Sequence, residues 1–73
     1  MIGNDGKPLN RAAILAAVGV YNTESRGSSA FAGIPRALVT ILDNLAVGKT
    51  GYVKGQDGQV QLMRGKDRKI TGK

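Results

Sequence analysis

The sequence predicts an α+β fold in which two N-terminal helices, over about residues 11–21 and 35–47, pack on a C-terminal β-hairpin, with strands over about 52–56 and 59–63 and a basic tail. Three observations carry this reading. A run of apolar residues follows Asn10, apolar residues recur at helical spacing after Pro35, and Asp57-Gly58 interrupts two alternating stretches. At 73 residues the chain is one small domain, with residues 64–73 as a basic tail that is either a flexible arm or a short third strand over 69–71.

Residues 1–8 read as a turn-rich lead, because Asn4, Asp5 and Gly6 tolerate left-handed backbone angles. Asn10 is the expected N-cap of the first helix, its side chain accepting from an early backbone N–H. That helix holds Ala12, Ala13, Ile14, Leu15, Ala16, Ala17, Val18 and Val20 and has no polar face between Arg11 and Tyr21. A helix apolar all round is expected to be buried on most sides. Its small residues at four-residue spacing fit packing inside the monomer, or a docking surface for another subunit through Ala12, Leu15, Ala16 and Val20.

Residues 22–30 are rich in Ser, Gly and Asn and read as a polar loop with solvated hydroxyls. Pro35 suits the first position of the second helix, since its φ is already helical and its missing N–H is not needed there. Ile34, Leu38, Ile41, Leu42 and Leu45 fall on one face, with Arg36, Thr40, Asp43 and Asn44 opposite. Gly48 is placed to stop that helix in left-handed geometry, and Phe31 to anchor the core near its entry. Asp57-Gly58 signals a two-residue type I′ turn, which sets Gln56 opposite Gln59 and Val53 opposite Leu62. Val53, Val60 and Leu62 then share the face that covers the helices. Tyr52, Lys54, Gln56, Gln59, Gln61 and Met63 share the other.

The composition narrows the function. There is no His and no Cys, which removes the usual neutral-pH base, the thiol nucleophile, disulfides and the usual zinc ligands. The five acids are scattered along the chain. The reading is a non-enzyme with no catalytic residues, no metal, no cofactor and no small-molecule substrate. Val47-Gly48-Lys49-Thr50 ends like a phosphate-binding loop, but Asp43 occupies the place of the first glycine and the helix precedes the segment. The apolar run at 12–21 is half of what a membrane span needs. Lys7 and Arg11 before that run, with Ala30-Phe31-Ala32 after it, also fit a secretory signal, against which stands the polar stretch holding Glu24 and Arg26.

Charge is the strongest functional signal. The net formal charge is +6. Up to residue 48, Lys7, Arg11, Arg26 and Arg36 stand against Asp5, Glu24 and Asp43. Beyond it, Lys49, Lys54, Arg64, Lys66, Arg68, Lys69 and Lys73 stand against only Asp57 and Asp67. Those seven cations are the candidate nucleic-acid-binding residues, since Lys and Arg neutralise phosphates and release counterions. A solvated face, or contact with an acidic protein or membrane surface, reads from the same charge.

Marginal size, the apolar first helix and one-sided charge together suggest a small structural subunit of a larger assembly, such as a virus or phage particle or a nucleoprotein complex. Its partners would be other protein subunits or copies of itself, and nucleic acid. The corresponding location is cytoplasmic or virion. The alternative is a free-standing DNA- or RNA-binding regulator. No family signature is recognisable in the sequence.

Overall fold

A computed structural model describes residues 1–73. Three helices, α1 (Arg11–Thr23), α2 (Ser29–Ala32) and α3 (Arg36–Asn44), precede three strands, β1 (Thr50–Gly55), β2 (Gly58–Arg64) and β3 (Ile70–Gly72). The strands form an antiparallel sheet in the order β1-β2-β3. The helices lie on one side of it, giving a two-layer α+β fold in a slab of 33 × 30 × 17 Å. Nine apolar residues fill the space between the layers: Ile14 and Val18 from α1, Ile34, Leu38 and Leu42 from α3 and its entry, and Val53, Val60, Leu62 and Ile70 from the sheet.

Asn10 caps α1 as expected, its Oδ1 accepting from the Ala13 N–H at 2.8 Å. The helix runs two residues past the expected end. Asn22 explains this: its Nδ2 donates to the Ile70 carbonyl at 2.7 Å and its Oδ1 accepts from the Ile70 N–H at 3.0 Å. A side-chain amide thus occupies the outer edge of β3 as a neighbouring strand would, blunting that edge.

The apolar helix is less buried than expected. Only Ile14 and Val18 are fully inside, while Ala12, Ala16 and Gly19 are exposed. The outward residues are small, so leaving them in water costs little.

The stretch expected to be loop contains α2. Ser28 caps it, accepting at Oγ from the Phe31 N–H at 3.1 Å, and Thr23 donates to the Gly19 carbonyl at 3.0 Å, so neither hydroxyl is merely solvated. Phe31 is half-buried on α2, with its ring 5.9 Å from that of Tyr21.

In α3 the apolar and polar faces are those expected, but the helix is shorter. Pro35 is its N-cap rather than its first residue (φ −55°, ψ 135°), and Leu45 already has extended geometry. Gly48, at φ +80°, turns the chain beyond the helix, where the Lys49 N–H reaches the Ala46 carbonyl at 3.0 Å. Pairing of Val47 with Arg64 draws this segment toward the sheet, which is incompatible with three more helical residues.

The hairpin forms with its loop one residue earlier than expected. Gly55 pairs with Gly58 and Val53 with Val60, leaving Gln56 and Asp57 as the loop. Neither loop residue has positive φ, so the type I′ turn is absent; Gly58 carries the unusual angle, at +130°. Tertiary contacts hold this tip. The Gln56 N–H donates to the Leu9 carbonyl at 2.7 Å, and Asp57 Oδ1 accepts from the Arg11 N–H at 2.7 Å. The loop shift changes each partner by two residues, an even number, so the inward and outward faces are those expected. β3 starts one residue later than 69–71 and places Ile70 in the core.

Candidate nucleic-acid interface

With the helices all on one side, the other side of the sheet is open. Alternation places Thr50, Tyr52 and Lys54 of β1, Gln59, Gln61 and Met63 of β2, and Thr71 of β3 on this open side, and all are exposed. Tyr52 is 62 % and Met63 44 % exposed. The register aligns Tyr52 with Gln61 in one row and Thr50, Met63 and Thr71 in the next. Lys73 continues the first row, because its N–H donates to the Gln61 carbonyl at 2.9 Å. Lys54 lies opposite Gln59. No Asp or Glu belongs to these rows.

The two acids of the basic half are occupied in turns. Asp57 accepts from the first residue of α1, and Asp67 Oδ1 accepts from the Lys69 N–H at 3.1 Å. The open side itself thus presents Lys54 and Lys73 with no Asp or Glu among its rows.

The seven candidate cations do not form one group. Lys54 and Lys73 lie in the open rows, and Lys49 stands at the entry to β1. Lys66, Arg68 and Lys69 sit on the exposed β2–β3 turn, where Arg68 adopts φ +69°. Arg64 is different. Val60, Leu62 and Arg64 alternate inward together, so the guanidinium points to the helices. Its Nε donates to the Leu45 carbonyl at 2.6 Å, one terminal nitrogen to the Arg68 carbonyl at 2.6 Å, and the other to the Leu42 carbonyl at 2.7 Å. These contacts satisfy carbonyls at the C-terminal end of α3, where a cation is favourable.

Tyr21 joins that inner network. Its hydroxyl accepts from Arg64 at 3.3 Å and donates to Asp43 Oδ1 at 2.6 Å. Arg26 pairs with Asp43, with one contact at 3.1 Å, and lies 5.4 Å from the centre of the Phe31 ring. The Arg26 hydrogen bond, followed by that from Tyr21, lowers the Asp43 pKa below the ordinary carboxylate value. The same pair raises the pKa of Arg26, through the hydrogen bond first and the charge of Asp43 second. Arg11, at the surface, donates to the Lys73 carbonyl. Arg11, Arg26 and Arg64 thus tie elements together, which suits the arginine fork for carbonyls and carboxylates, while Arg36 and Arg68 face water.

Of the four residues considered for protein docking, Ala12 and Ala16 are exposed. Leu15 and Val20 are half-buried and pack against the core. A shallow apolar groove between α1 and α2 is lined by Ala13, Ala16, Ala17, Val20, Ala30 and Ile34, with Gly33. No three His, Cys, Asp or Glu side chains come together, and no helix is long and apolar enough to cross a membrane. Compared with protein-family models, curated proteins and solved structures, the chain shows no significant match.

Proposed function

We propose that this chain is a non-enzymatic nucleic-acid-binding module that meets phosphates with the open side of its sheet. The observation carrying this reading is the set of outward rows, which hold Lys54 and Lys73 among neutral residues and no Asp or Glu. Lys49 at one end and Lys66, Arg68 and Lys69 at the β2–β3 turn extend the positive rim. Such a surface attracts a polyanion through counterion release, without sequence preference. Arg64 is left out of the contact set, since its hydrogen bonds are made inside the fold.

Fluorescence anisotropy with labelled oligonucleotides between about 50 and 200 mM salt tests the reading. Affinity falls steeply with salt. Replacing Lys49, Lys54 and Lys73 together by Ala weakens binding and reduces the slope of log K against log salt by about 2 to 3, close to one for each lost phosphate contact. Absence of binding at the lowest salt contradicts the reading.

A second reading, a subunit of a larger assembly, draws on the apolar groove between α1 and α2. It predicts a protein partner on the helical side, opposite the lysines, and is compatible with nucleic acid on the sheet. Light scattering after size-exclusion chromatography gives the self-association arm of this reading.

A further inference from the structure

The chain has three aromatic residues, and the fold treats one of them differently. Tyr21 and Phe31 face each other, and Arg26 lies over both rings. The Tyr21 hydroxyl is hydrogen-bonded on both sides. Tyr52 shares none of this. It stands on the open side of the sheet, 62 % exposed, with Gln61 beside it and Lys73 beyond in the same row. Met63 lies diagonally across from it, at a distance that long side chains can span.

We infer that the open side of the sheet binds single-stranded nucleic acid, with Tyr52 stacking on an unpaired base. This rests on the phosphate-binding reading given above and specifies its ligand. Two physical points favour a single strand over a duplex. In a duplex the faces of the bases are already stacked on one another, so an exposed ring finds only edges and phosphates; an unpaired base offers its face. The major groove admits a helix or a two-stranded ribbon, whereas the row through Tyr52 spans three strands at about 4.8 Å spacing. In the complex, Tyr52 and Met63 form the apolar floor under a base. The Gln61 amide bonds to the edge of a neighbouring base, and Lys54 and Lys73 meet the phosphates on either side.

The test uses the whole chain and two labelled probes: an oligothymidylate of about 15 nucleotides and a mixed-sequence duplex of the same length. The wild-type protein is expected to bind the single strand more tightly than the duplex at equal salt. Tyr52→Ala weakens single-strand binding about tenfold, within the range of one base–aromatic stack. Its salt slope stays that of the wild type, because no charge is removed. Tyr52→Phe keeps the ring and binds within about twofold of wild type, since stacking needs the ring rather than the hydroxyl. A thermal melt of each variant checks folding, which an exposed position leaves intact.

Equal single-strand affinity of Tyr52→Ala and wild type overturns the inference. If the triple-lysine variant still loses binding in that case, the phosphate-binding reading stands without it. No binding of either probe overturns both.

Discussion

Arg64 shows at the scale of one residue how a charge is diverted from surface to interior. It lies in the most basic stretch of the chain, and composition groups it with the lysines. Yet the alternation that sends Val60 and Leu62 inward sends Arg64 inward as well, and its fork meets the carbonyls of Leu42 and Leu45. Arg64→Met removes these charge-assisted bonds and is expected to destabilise the fold by about 2 kcal/mol in urea denaturation. Arg64→Lys recovers little, because a single ammonium cannot reproduce a planar fork. The sequence pattern ends the second strand at Met63 and groups Arg64 with the basic tail; β2 runs one residue further, and period two along it turns Arg64 inward. The acceptors were not legible, because they lie on another element and depend on where α3 ends.

At the scale of elements, the segments with strong periodicity were readable and their ends were not. The spacing of Leu38 and Leu42 in α3 and the alternation in the hairpin both match the observed faces. The ends were moved by contacts from distant parts of the chain: Asn22 holding β3, Leu9 and Arg11 holding the hairpin tip, and Val47 pairing with Arg64. The contact of Asp43 with Arg26 and Tyr21 likewise ties α3 to the end of α1 and the turn after it. Because Asp43 has a lower pKa folded than unfolded, the unfolded chain takes up its proton first. The stabilisation is complete above the ordinary carboxylate pKa and is lost as pH falls through the folded value. Thermal melts across acidic pH are expected to show this decline, and Asp43→Asn to make it shallower. The effect is small because the pair is exposed to screening solvent.

At the scale of the whole molecule, the fold divides labour between two sides of a thin slab. One side is closed by helices over a nine-residue apolar core, and the other presents lysines, glutamines and a tyrosine to water. The charge imbalance along the sequence foreshadowed a basic half, and the strand register turned it into a basic surface. The first helix offers a smaller apolar docking face than its composition suggests. Its bulky residues already pack against the core, leaving mainly small ones outside.

Binding by the open side of the sheet is most directly tested by a residue-resolved NMR titration of the labelled protein with the oligothymidylate. The largest amide shifts are expected along Tyr52–Lys54, Gln59–Met63 and Thr71–Lys73. Shifts concentrated in α1 and α2, with these strands unmoved, would contradict it.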